Sequence, residues 1–206
     1  MPFGAEIIET KATSQMSSIV REFIEAILLA LVVFVAIQTS VQNFKVEGSS
    51  MQPTLEGGQY LLVNKLVYFK IDQERLSRVI PFWKVDNSDE SFAVHPPKSG
   101  EVIVFHFPRD HSRDFVKRVI GVPGDWVEIR RGTVYVNGGS LDEPYITAHD
   151  YQDMGQVFMD EKEYFVLGDN RRGSNDSRNW GSVPEALILG KVWIVYWPLS
   201  NWTLLQ

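Results

Sequence analysis

The sequence predicts a mainly β domain with antiparallel pairing, preceded by one apolar helix. Three observations lead there. Short segments rich in β-branched and aromatic residues recur from residue 60 onward, turn dipeptides separate them, and no helical period long enough for a crossover helix lies between them. The size agrees, because 206 residues suit one domain and an appendage, and 44% apolar with 22% charged residues can fill a core.

The first element is the helix. Residues 26–37 (AILLALVVFVAI) carry no polar side chain, and the mostly apolar run extends over 23–41. As a helix it is roughly 28 Å long, close to the ~30 Å hydrocarbon core of a bilayer. A transmembrane anchor is the favoured reading, with a buried core helix and the apolar part of a cleavable signal peptide as alternatives. Against the last, the preceding segment is acidic (Glu6, Glu9, Glu22, Glu25) and no small-x-small site follows Ile37. Arg21 beside the run places residues 1–22 in the cytoplasm and 42–206 outside.

Strands follow at 60–63 (YLLV), 101–107 (EVIVFHF) and 115–120 (FVKRVI), the last ending at Gly121-Val122-Pro123-Gly124. Residues 126–130 and 133–137 (WVEIR, TVYVN) alternate about Arg131-Gly132 and read as a hairpin. Residues 163–167 and 191–197 complete the set, and 184–189 is at most a short helix. Between the first two strands, 71–97 is irregular, with Phe82, Trp83 and Phe92 inside it and Pro96-Pro97 at its end, and looks like an excursion from the β body.

Composition narrows the chemistry. A net charge of −6 argues against nucleic acid, whose phosphates require a basic face. The absence of cysteine removes thiol nucleophiles, thiolate metal sites and disulfides, leaving hydroxyl, amine, carboxylate and imidazole. His106 and His111 around Asp110 lack the partners of a metal site, and no metal or cofactor is expected.

Three motifs carry possible chemistry. Gly48-Ser49-Ser50-Met51-Gln52-Pro53-Thr54-Leu55 is by itself an ordinary loop. In 115–120, strand alternation puts Lys117 on a face with Phe115 and Val119, and Arg118 on the other with Val116 and Ile120. A lysine among apolar neighbours loses affinity for its proton and becomes a base near neutral pH, whereas one at a sheet edge stays charged. The third motif, 168–178 (GDNRRGSNDSR), holds no apolar residue. Asp169, Asp176, Arg171 and Arg178 can pair across it and fix Ser174 and Ser177.

Ser-Met-x-Pro-Thr-Leu at 50–55, Lys-Arg-x-x-Gly-x-Pro-Gly-Asp at 117–125 and Gly-Asp-Asn-Arg-x-x-Ser-x-Asp-Ser-Arg at 168–178, in that order after an apolar span, resemble bacterial type I signal peptidase. The resemblance runs from about Phe23 to Trp197. It implies coiled antiparallel sheets holding a Ser/Lys dyad in a single-pass protein of the bacterial plasma membrane. That protein would cleave signal-peptide-bearing preproteins after small residues, at the bilayer and near the export machinery. It makes Ser50 the acylating nucleophile, Lys117 the general base, and Ser174 a hydroxyl that hydrogen-bonds the amine. Asp176 with Arg178, and Asp169 with Arg118, become supporting ion pairs. Phe44, Val46, Met51, Leu55, Phe115 and Val116 become the substrate-binding walls. Gly48 stands where some members carry a serine that helps bind the oxyanion, so backbone N–H groups, including that of Ser50, must serve here. The 71–97 stretch looks like an insertion relative to many members.

Rival chemistries fit less well. A histidine hydrolase requires a Gly-x-Ser-x-Gly elbow and a penicillin-binding enzyme a Ser-x-x-Lys, and neither occurs. The remaining alternative is a membrane-tethered β domain that binds exported chains without cutting them. Retention of both Ser50 and Lys117 argues against it.

Overall fold

A computed structural model describes residues 5–71, 91–92, 94–148 and 150–205. The chain divides into two compact units, Met1–Ser40 and Val41–Gln206. The first is the helix α1, Ala5–Ser40. Its apolar side chains are exposed over 19–37, from 49% at Val33 to 68% at Phe23. Thr39 Oγ1 donates to the Val35 carbonyl at 2.9 Å and Ser40 Oγ to that of Ala36, the back-bonding one turn up that hydroxyl side chains make in a helix. Among the described residues no helix is long and apolar enough to cross a membrane. The structure shows here a long helix with an unburied apolar run.

The second unit is built of β1 (Val41–Lys45), β2 (Tyr60–Asn64), β3 (Lys70–Ile71), β4 (Ser91–Phe92), β5 (Val102–Phe107), β6 (Asp110–Gly121) and β7 (Trp126–Arg130). It continues with β8 (Thr133–Val136), β9 (Gly139–Ser140), β10 (Met154–Phe158), β11 (Glu163–Leu167), β12 (Val183–Pro184), β13 (Ile188–Trp197) and β14 (Thr203–Leu204). The main sheet runs β1-β2-β13-β5-β6-β11-β12, with β14 on β13; a smaller one runs β10-β7-β8-β9. All of these pairings are antiparallel. Register shifts on β13, β6 and β11 mark bulges, which bend and twist a sheet. The mainly β expectation therefore holds.

Both faces of the main sheet are covered, which is why β5 reads as an unbroken apolar run rather than an alternation. Val102 and Val104 pack with Val46, Leu61 and Val192, whereas Ile103 and Phe105 pack with Val119, Tyr164 and Val183. A third cluster, Ile120, Val127, Ile129, Val134 and Phe165, fastens the smaller sheet to the end of β6. The 126–137 hairpin forms as read, with Arg131 and Gly132 both at positive φ.

Three sequence expectations shift. β6 starts at Asp110, because it pairs with β5 almost back to the Pro108-Arg109 turn. Within 168–178, read as loop, Ser177–Trp180 is a helical turn capped by the Asp176 side chain. Of the 71–97 excursion the structure describes mainly its ends, where β3 and β4 pair; Phe82 and Trp83 lie outside the described residues.

Candidate active site

The three motifs, far apart in sequence, meet at one end of the β5–β6 ladder. Lys117 lies opposite Ile103 on β6, in the buried half of that strand. Its Nζ donates to Ser50 Oγ at 2.8 Å and to the Val116 carbonyl at 2.9 Å. The residue is 4% exposed, and the Phe115 ring centroid lies 5.3 Å from the amine. Burial pushes its pKa down to about 8, while the nearby Asp176 and Asp169 pull the other way.

Ser50 sits just beyond β1. Gly48 takes φ +84, a conformation open to glycine, and the turn is closed by Gln52 N–H to Ser49 O at 3.1 Å and Leu55 N–H to Met51 O at 2.9 Å. From the other side the 168–178 loop holds the nucleophile's own backbone. Asn170 donates its N–H to the Ser50 carbonyl at 3.0 Å and its side-chain amide to the Ser49 carbonyl at 3.1 Å. Gly168 permits this approach, since a Cβ there would stand 2.4 Å from Ser50 O.

Two ion pairs brace the loop. Arg118 forks onto Asp169 at 2.9 and 2.7 Å and also reaches the Gly100 carbonyl at 2.7 Å. Arg178 forks onto Asp176 at 2.8 and 2.9 Å, and Asp176 accepts the Gly168 N–H at 3.0 Å. Such bidentate charge-assisted bonds fix geometry as well as adding energy. Arg171, expected to pair with an acid of the loop, instead forks onto Glu143 while its Nε donates to the Gly168 carbonyl at 3.1 Å.

The expected hydrogen bond from Ser174 to the lysine amine is not made. Ser174 Oγ is buried without a hydrogen-bond partner and is packed over Gly168, while Nζ is directed to Ser50 and Val116.

A cleft of about 650 Å³ runs away from the dyad, with 44–50 on one side and 112–117 on the other. Phe44, Val46, Phe115 and Val116 line it as expected, together with Leu61 and Val104, which the sequence reading missed. Met51 and Leu55 do not. The turn after Ser50 directs them inward, and at 1% and 0% exposure they fill the core with Val63 and Val195. Asn170 and Glu143 were also missed: the first lay inside a recognised motif, whereas the second lies in a stretch that carries no motif and no period. His106 bonds Asp114 at 2.7 Å, and among the described residues no set of three or more acidic or histidine side chains is placed to hold a metal.

The family model for "Signal peptidase, peptidase S26" matches residues 20–197. A probable signal peptidase I-2 of Synechocystis sp. is 34% identical over 184 residues, covering 86% of this chain and 73% of that protein. Signal peptidase I of Bacillus caldolyticus is 36% identical over 173 residues, covering 77% and 81%. A crystal structure of a signal peptidase I from Enterococcus faecalis V583 is 35% identical, covers 48% of this chain and 99% of its own, and superposes with a TM-score of 0.43. With a family match across most of its length and relatives above 30% identity, the chain belongs to the peptidase S26 family, the signal peptidases.

Proposed function

We propose that this signal peptidase cleaves preproteins through an acyl-enzyme on Ser50, with Lys117 as general base. The observation that carries the reading is the 2.8 Å contact between the hydroxyl and a buried amine whose proton affinity is reduced. Once neutral, the amine at that distance accepts the Ser50 proton as Oγ attacks the scissile carbonyl carbon. The tetrahedral oxyanion is stabilised by backbone N–H groups around 48–50. Collapse breaks the C–N bond, and the leaving amine takes the proton from Lys117. Water, deprotonated by the same lysine, then hydrolyses the ester and frees Ser50. Supporting roles fall to Asp169, Arg118, Asp176 and Arg178, which fix the loop.

The cleft supports an extended substrate. Among the described residues β1 has a neighbour on one side only, and 114–117 of β6 pair with β5 but not with β11, so a peptide can enter between two unpaired edges. Its apolar floor suits small apolar side chains. The unburied apolar run of α1 supports a single-pass anchor, with 42–206 on the extracytoplasmic side. Ser50 lies nine residues on from Val41, at most about 30 Å of extended chain, which keeps the nucleophile near the bilayer surface where a signal peptide emerges.

The test is cleavage of a signal-peptide-bearing precursor by the purified full chain in detergent, with the cut site mapped. Loss of cleavage in Ser50→Ala with precursor binding retained supports the reading. Binding without cleavage by the wild type would make the protein a tether for exported chains.

A further inference from the structure

Glu143, Tyr145 and Asp150 belong to an irregular stretch between β9 and β10, and each contacts a different arginine of the site. Glu143 forks onto Arg171, the two side chains 6% and 2% exposed. The Tyr145 ring lies 3.9 Å below the Arg118 guanidinium, and its hydroxyl donates to Glu143 at 2.8 Å. Asp150 accepts from Arg178 on the side away from Asp176. The stretch is seated at both ends on the smaller sheet. Leu141 N–H bonds the Val134 carbonyl at 2.9 Å, and Asp150 presses so close to the β7–β8 turn that a Cβ on Gly132 would lie 1.7 Å from its carbonyl oxygen.

Each arginine leads on to the dyad. Arg171 Nε donates to the Gly168 carbonyl at 3.1 Å, and Arg178 donates to the Arg171 carbonyl at 2.8 Å. Asn170 in turn donates its N–H to the Ser50 carbonyl, an approach that the missing side chain of Gly168 leaves room for. Arg118 follows Lys117 directly on β6.

We propose that the described residues 142–148 and Asp150 form a strap in which Glu143, Tyr145 and Asp150 act as positioning residues, clamping three arginines so that the 168–178 loop stays closed over Ser50 and Lys117. The inference rests on the Ser50/Lys117 reading above. It assigns the smaller sheet a task in catalysis: it is the frame to which the strap is tied.

The strap's role can be separated from simple stability by the pH profile of kcat/KM, whose rising limb reports the lysine amine. The charged groups around Lys117 are Asp169 and Asp176 from the loop, Arg118 on its own strand, Arg178 on Asp176, and Arg113 on the far side of the Phe115 ring. Glu143→Gln leaves Arg171 as an uncompensated cation, and that charge alone would move the limb to lower pH. Opening of the loop readmits water to the amine and moves the limb to higher pH.

The experiment compares full-length wild type, Glu143→Gln and Tyr145→Phe on one precursor at fixed detergent, below each variant's measured Tm. For Glu143→Gln the expected result is a kcat about tenfold lower and a limb at least half a pH unit higher. Tyr145→Phe keeps the ring on Arg118 and loses the bond to Glu143, so it should shift the same way with a loss of about threefold. If Glu143→Gln does not fold, Tyr145→Phe decides alone. A limb that stays in place, even with a reduced Tm, or that moves down, overturns the strap. A wild type without a Lys117-dependent limb overturns the reading beneath it and the strap with it.

Discussion

On β6 two cations stand side by side on opposite faces of the strand, Lys117 and Arg118, both buried, and only one of them has a carboxylate of its own. Arg118 has Asp169 in a two-pronged pair, the Gly100 carbonyl and the Tyr145 ring. Lys117 has a serine hydroxyl, one carbonyl and an aromatic ring. Burying a charge without a counter-ion is costly, and a lysine escapes the cost by releasing its proton, which a guanidinium does not do. The same depth of burial therefore makes one residue an ionic brace and the other a candidate base. The acids that influence Lys117 from the loop, Asp169 and Asp176, are themselves held by Arg118 and Arg178, which limits how far they can restore its proton.

The most severe way to break this contrast is to make the two cations alike. Lys117→Arg keeps the charge and loses the ability to serve as a base, so precursor cleavage should fall by about 10²–10⁴-fold, to the level of Lys117→Ala. Wild-type activity should rise with pH through about 8, because the neutral amine is the working form and burial lowers its pKa below the usual lysine range. Near-normal turnover in Lys117→Arg, or a wild-type rate that falls between pH 6 and 8, would remove the general-base role.

A smaller effect sharpens the contrast from the other side. Asp169→Asn removes the counter-charge of Arg118, and breaking one partner of a buried pair costs roughly 3–5 kcal/mol, a Tm lower by roughly 6–20 °C. The sign at Lys117 follows from its surroundings. Asp169 favours the ammonium, so its loss, together with an uncompensated Arg118, favours the neutral amine and moves the rising limb of activity to lower pH. A limb displaced upward in a folded Asp169→Asn protein would show that Asp169 acts by closing the site rather than by charge.

How far the sequence foretold this arrangement depends on whether the deciding contact is local. Strand alternation alone separates Lys117 from Arg118, and the 126–137 hairpin is legible because its turn residues and its period agree. The pairs Asp169–Arg118 and Asp176–Arg178 came through the family resemblance, in motifs whose residues meet in space as that resemblance implies. Glu143 was not legible. Leu-Asp-Glu-Pro-Tyr has neither an apolar period nor a motif, and its role emerges only when the fold brings Glu143 onto Arg171. β10 escaped notice for the opposite reason: its side chains after Met154 are exposed, so no buried face imprints a period on the sequence. Met51 and Leu55 were placed in the cleft by the family resemblance, yet the turn after Ser50 sends them into the core.

The smallest expected effect concerns Gly48, on the 44–50 side of the cleft. Where some relatives place a hydroxyl, this chain has a glycine at φ +84 with no atom within 4 Å of where a Cβ would be. A serine there meets no clash, but left-handed backbone costs a residue with a Cβ about 1–2 kcal/mol. If the site lacked an oxyanion donor, adding the hydroxyl would raise turnover by the ~10²–10³-fold that one donor is worth in other hydrolases. On the proposal that backbone amides around 48–50 serve the oxyanion, Gly48→Ser is expected to stay within about tenfold of wild type or to fall, since the strain tends to displace them. The check is kcat on one precursor at fixed detergent and pH, alongside Tm. A hundredfold gain would show that the native site is missing a donor, and that the compensation around Lys117 is matched by a deficit at the oxyanion.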